Sequence, residues 1–156
     1  MENIQTYPKA LDTAYRLLAA RPHTKAEIRR KLSRKGHDSE TITAIVSELQ
    51  EKGYLNEDDM AQRWAQALVR EKLWGPLKIS AYLMQKGISR KIIDQVQRQL
   101  WQEIDEPDIA AQALRKRFSG GEDESLRAKK AAFLRSRGFS ADVIYKISKE
   151  PCEDQW

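Results

Sequence analysis

The residue types that most often carry chemistry are few in this chain. His23 and His37 stand fourteen positions apart at predicted helix boundaries, and no carboxylate or thiol spacing around them resembles a metal site. Both read as capping or solvated loop residues. Glu57, Asp58 and Asp59 are an acidic run of the kind used for general-acid or cation-binding chemistry. They follow Asn56 at a predicted helix start, where negative side chains complement the helix dipole, and that is the stronger explanation. Cys152, the single cysteine, lies between Pro151 and Glu153 in an acidic tail where nothing lowers a thiol pKa, so neither a disulfide framework nor a thiolate cluster is expected. Apart from Gly120-Gly121 the glycines are isolated, which leaves no phosphate-cradling loop. The expectation is a protein that is not an enzyme and takes no cofactor or metal.

The cations say more. Lysine and arginine total 28 against 23 acids, for a net charge of +5 and a pI near 9.3, which favours anionic partners. Residues 21 to 35 hold Arg21, Lys25, Arg29, Arg30, Lys31, Arg34 and Lys35. With Ile28 and Leu32 as a buried stripe, helical periodicity puts Arg29, Arg30 and Arg34 on the far side. A second concentration comprises Arg115, Lys116, Arg117, Arg127, Lys129, Lys130, Arg135 and Arg137, of which Lys129 and Arg135 face away from the predicted stripe. Between them the charge is milder, at Lys78, Lys86, Arg90 and Lys91. One basic helix would read as solvated surface. Two dense patches at matching positions point to an anion-binding surface, with solvation as the competing reading. Trp64, Trp74, Trp101, Tyr82 and Phe133 invite base stacking, but packing between helices explains them better; Trp74, at a corner before Gly75-Pro76, stays open.

The elements that position these residues repeat. LSRKGHD (32–38), LMQKGIS (83–89) and LRSRGFS (134–140) share one pattern, with Gly36, Gly87 and Gly138 spaced by 51 residues. Each reads as a joint: a buried leucine, a cation at the negative helix end, a left-handed glycine, then Asp38, Ser89 or Ser140 capping the next helix. The register extends outward. Ile28 and Leu32 map onto Ile79 and Leu83, while Ala10, Ala14 and Leu17 map onto Ala61, Ala65 and Leu68. The third copy keeps Leu134 but has Lys130 where isoleucine stood, and two extra residues in SGGEDES shift its first helix. Strand signals are nearly absent. The prediction is an all-α protein of three tandem three-helix repeats stacked into an elongated, curved molecule: residues 1–55, 56–105 and 106–150, then a polar tail at 151–156. Thr24-Lys-Ala-Glu27 reads as a capping box, and Gly75 with Pro76 as the structural joint that ends one helix and opens another.

The middle copy, GYLNEDDMAQRWAQALVREKLWGPLKISAYLMQKGIS, resembles the RecX family of bacterial recombinase regulators. The family pattern falls on Gly53 to Asp59, Ala61, Trp64, Arg70 to Lys72, Gly75-Pro76, Lys78-Ile79 and Leu83 to Ile88. Lys78 stands where the family usually has arginine, which keeps the charge but not the planar fork. Ala81-Tyr82 replaces a polar or acidic pair. The resemblance implies a negative regulator of RecA that lies in the groove of the RecA–DNA filament and inhibits ATP hydrolysis, strand exchange and co-protease activity. The expected partner is the RecA filament, with contact to single- or double-stranded DNA open. Arg29, Arg30, Arg34, Lys78, Lys86, Arg90, Lys91, Lys129 and Arg135 are the candidate basic face.

Two other readings compete. A helix-turn-helix-like DNA-binding protein fits the charge, but no helix carries the Asn, Gln and Arg cluster of a base reader. A helical-repeat adaptor would make the charge incidental. No apolar run reaches membrane-spanning length and MENIQTYPKA lacks a signal-peptide core, so a cytoplasmic monomer is expected.

Overall fold

The computed structural model describes residues 6–118 and 124–149, all helix and short connection. The helices are α1 (Thr6–Ala20), α2 (Lys25–Arg34), α3 (Ser39–Glu51), α4 (Glu57–Lys72), α5 (Pro76–Gln85), α6 (Arg90–Glu103), α7 (Glu106–Arg117), α8 (Glu124–Ser136) and α9 (Ala141–Lys149). They pack in threes, the first helix of each set lying chiefly against the third. Small side chains make that approach close. Ala10 and Ala14 on α1, Ala61 and Ala65 on α4, and Ala110 and Ala113 on α7 are all buried, and interaxial distance shrinks with the residues at the contact. Ile28 and Leu32, then Ile79 and Leu83, close the first two sets from the second helix. In the third set only Leu134 remains fully buried at these positions, and Lys130, at the position of Ile28, is half-buried.

The joints take the predicted conformation. Gly36, Gly87 and Gly138 have φ of 91°, 86° and 84°, which an L side chain adopts only at a cost. Asp38, Ser89 and Ser140 accept from the backbone N–H groups of Thr41, Ile92 and Val143. Gly75 departs from expectation. It does not terminate α4; Leu73 does, in the left-handed region at φ 54°. Gly75 is extended and N-caps α5, with Pro76 at its first position. Its need for a bare Cα comes from packing, because a Cβ there would lie 2.6 Å from the Gly138 carbonyl oxygen and the Phe139 backbone.

That collision reveals how one set docks on the next. The joint of each later set sits on the corner between the first and second helices of the set before it. Gly75 and Leu77 donate backbone N–H bonds to the carbonyls of Arg137 and Gly138, both at 2.8 Å. One interval earlier the Thr24 hydroxyl donates to the Lys86 carbonyl at 2.9 Å, and a Cβ on Gly87 would collide with the Ala26 methyl. The two junctions differ in chemistry. A single apolar core runs through α4–α9, including Phe139, Ile79 and Leu83, whereas the core of α1–α3 is separate. Polar groups hold α1–α3 to the rest: Lys25 N–H donates to Glu57 at 2.8 Å beside the Thr24 bond.

Candidate functional site

On α2, Arg29, Arg30 and Arg34 are exposed. Among the described residues none of them has a carboxylate within ion-pair distance; the pairs present are Arg16–Asp12, Arg21–Glu27, Lys52–Glu48 and Arg63–Asp59. Arg29 borders a shallow hollow with Ser33, His37, Ser39 and Thr43. Lys129 and Arg135 are exposed on α8. Arg90 and Lys91, also exposed, open α6. Cations at the positive end of a helix cost stability, roughly 0.3–1 kcal/mol each when exposed, so local helix energetics do not explain them.

Lys78 and Lys86 are placed differently from the other candidates. Both are half-buried and lie over aromatic rings rather than facing outward. The Lys78 ammonium stands 4.3 Å from the centroid of Trp74, and that of Lys86 stands 5.5 Å from Tyr82 and 6.0 Å from Trp64. Trp64, Trp74 and Tyr82 meet edge to face, with Tyr82 common to both contacts at 6.1 Å. Trp74 is therefore half-buried and occupied. Burial, then the neighbouring charges of Arg137 and Lys72, hold the Lys78 ammonium below the usual lysine range.

His23 is not the solvated loop residue expected from its position. It is 2% exposed and held within the first set by Arg21 and Lys31. Its Nδ1 lies 2.8 Å from the Arg21 carbonyl, so Nδ1 must carry the proton, and Nε2 accepts from the Lys31 ammonium at 2.8 Å. Burial and the cations Arg21 and Lys31 push its pKa down, against the backbone bond. The ring is kept neutral. Glu27 is buried beside it and bonds Arg21 at 2.8 Å. Burial raises its pKa, but the Arg21 hydrogen bond and charge outweigh that and leave it below the ordinary value. Thr24 forms the expected half of a capping box by accepting from Glu27 N–H, whereas the Glu27 carboxylate turns to Arg21 instead of reaching back. His37 is half-buried. Cys152 and the acidic tail lie outside the described residues, as does most of the SGGEDES loop.

Folding also joins part of the second basic concentration to the end of α4. Glu71, Lys72 and Leu73 from the end of α4, Ala113, Lys116 and Arg117 from α7, and Phe133 with Arg137 from the α8 end line an open cleft of about 550 Å³. Arg137 lies over the face of Phe133 at 5.0 Å, and Phe118 meets the same ring edge-on at 5.8 Å. Lys116, Arg117 and Arg137 already stood in the second basic concentration of the sequence, but the packing that brings Lys72 and the end of α4 to them is not written in their spacing. Among the described residues no cluster of His, Cys, Asp and Glu could hold a metal, and no helix is long and apolar enough to cross a membrane.

Comparison with known proteins agrees with this architecture. The family pattern described as the RecX first three-helix domain matches residues 10–49, and the RecX second three-helix domain matches residues 56–96. The chain is 34% identical over 145 residues to Regulatory protein RecX of Halorhodospira halophila, covering 92% of this chain and 88% of that protein. It is also 34% identical over 142 residues to Regulatory protein RecX of Chlorobaculum tepidum, covering 90% and 86%. The crystal structure of RecX from Lactobacillus salivarius superposes with a TM-score of 0.80 at 23% identity, over 91% of this chain and 94% of that one. At that identity it speaks for the fold alone. The descriptions of three-helix domains agree with the helices in sets of three and with their recurring joint, and on these grounds the chain belongs to the RecX family of regulatory proteins.

Proposed function

We propose that the protein is a cytoplasmic, monomeric negative regulator of the RecA recombinase that lies in the groove of the RecA–DNA filament and inhibits ATP hydrolysis, strand exchange and co-protease activity. The observation that supports this most directly, beside family membership, is the joint-on-corner docking, which makes one continuous strip from three helical sets. Blocking a groove requires extent and charge and no catalytic group. The strip supplies both, with Arg29, Arg30 and Arg34 at one end and Lys129 and Arg135 at the other, exposed and free of described ion pairs. Several weak contacts along a filament reinforce one another by linkage. Arg90 and Lys91 add to the same surface chemistry from the middle, and Lys78 and Lys86 serve as packing cations beneath it.

The test is RecA ATP hydrolysis on single-stranded DNA with and without the protein. Arg30→Glu with Arg34→Glu should weaken inhibition at least about tenfold, equivalent to about 1.4 kcal/mol. Helix content should be retained, since exposed charges change stability by less than about 0.5 kcal/mol. Inhibition by the parent should fade with added salt. No inhibition by the parent would point to an adaptor role, and equal, salt-independent inhibition by both proteins would remove the basic face from the mechanism.

A further inference from the structure

The third set carries a hollow of about 510 Å³ between α8 and α9, beside Leu77 of α5 and lined by Ala131 and Ile144. Among the described residues four large apolar side chains are exposed: Tyr54, Leu77, Met84 and Tyr145. Two of them, Leu77 at 64% and Tyr145 at 60%, border this one hollow. Scattered apolar residues need no explanation, but a concave group of them marks a surface that something covers. Arg127 and Arg135 line the hollow from α8, exposed and without an ion pair among the described residues. Eight residues separate them, about 12 Å along the helix, so cations stand toward both ends of an apolar floor. The Ser148 hydroxyl, also in the lining, is buried with no hydrogen-bond partner among the described residues, a state that native groups rarely keep. An occupant that suits all three features brings an apolar side chain, negative charge and backbone polar groups. That is a short acidic peptide.

We propose that the occupant is the chain's own segment EPCEDQW, residues 150–156, docked back along the hollow with Trp156 against Leu77 and its acids against Arg127 and Arg135. The segment begins where the hollow does, since α9 ends at Lys149 and Ser148 is in the lining. Pro151 bars another regular helical turn and favours extended backbone at Glu150, so the chain leaves the helix axis there. Seven extended residues reach about 23 Å, enough to reverse direction and run the length of the floor. Glu150, Glu153 and Asp154 supply the charge, and Trp156 is the one large apolar side chain in the segment. Tethering makes weak docking sufficient: a short linker gives an effective concentration of order millimolar, so an affinity of about 1 mM yields about half occupancy. A second copy seated on the same face by two-fold symmetry would set arginines against arginines, which disfavours that occupant. The docked segment neutralises Arg135, one of the outward cations of the basic face, and so restrains that end of it. Docking does not depend on RecA, so its failure and that of the filament reading are separable.

The experiment places a nitroxide on Cys152, the single cysteine, in the full nitrogen-15-labelled chain and follows broadening of backbone amide signals with no partner present. Leu77 and Ala131 should broaden, and the amides of α3 should not. Arg127→Glu with Arg135→Glu should weaken docking at least tenfold, about 1.4 kcal/mol. Occupancy then falls from about one half to about one tenth, and the broadening about fivefold. Trp156→Ala should reduce it similarly through loss of the apolar anchor. Adding Glu153→Lys and Asp154→Lys to the two arginine reversals should restore the broadening, which simple damage to α8 would not produce. The proposal is overturned if Leu77 does not broaden in the parent, if the broadening survives the arginine reversals or Trp156→Ala, or if the charge exchange does not restore it. Broadening that passes from a spin-labelled chain to a separate isotope-labelled one would also overturn it, in favour of a second copy as the occupant.

Discussion

His23 and Glu27 show how much a residue's meaning depends on what covers it. Near Pro22, in a stretch of seven cations, a histidine reads as solvent-exposed, yet burial and the Lys31 ammonium keep it neutral. Its folded pKa is lowered, so below the ordinary histidine value of about 6.5 the unfolded chain binds a proton that the folded chain resists. Stability should therefore fall as pH drops from 7 through that window. Glu27, also lowered, acts at more acid pH: its contribution is present above its unfolded pKa and is lost as pH falls toward the folded one. Thermal unfolding followed from pH 7 to pH 5 should show the first loss, and His23→Gln should flatten it. An unchanged slope in that variant would assign the loss to other groups.

At the scale of the element, the three joints make an internal comparison. All three glycines share nearly the same φ, so alanine imposes a similar backbone cost at each, about 1–2 kcal/mol. Their surroundings differ. Among the described residues nothing lies within 4 Å of a Cβ on Gly36, whereas Gly87 would strike Ala26 and Gly138 would strike Lys78. Gly36→Ala should show the backbone cost alone. Gly87→Ala and Gly138→Ala should cost about 1–3 kcal/mol more, the usual range for overpacking. Urea midpoints for the three variants measure the difference directly, and equal midpoints would mean that docking contributes little.

The whole molecule is uneven in its cohesion. One core joins α4–α9, while α1–α3 has its own core and meets the rest through Thr24, Lys25, Glu57 and Lys86. In repeat-like proteins stability is close to a sum of unit and interface terms, so the unit with the polar interface should open first. Hydrogen exchange should show α1–α3 amides exchanging at a lower opening free energy than those of α5 and α6. Acidification should widen the gap, since Glu27 and His23 both lie in α1–α3 or its connections and both make that set less stable as pH falls. Uniform protection across all the sets would contradict the division.

Much of this was legible in the linear chain. Glycine at 51-residue intervals, cations before it and a capping Asp or Ser after it are local signals, set by backbone sterics and free amides that need no neighbour. The helical class, the sets of three and the buried stripes of Ile28, Leu32, Ile79 and Leu83 followed from them and from helical periodicity, while the RecX resemblance rested on the motif of the middle copy. What the sequence could not decide is whatever depends on two distant segments meeting. Gly75 was read as a helix stop, but it is bare because the Gly138 carbonyl and Phe139 backbone press against it. Lys78 and Lys86 were counted with the outward cations until Trp74 and Tyr82 closed beneath them. Arg117 and Arg137 were read as one basic concentration and Lys72 lay outside it, and only packing gathered the three into one cleft. Periodicity tells which face of a helix is buried; which neighbour buries it, and at what distance, is decided by the docking of one set on the next.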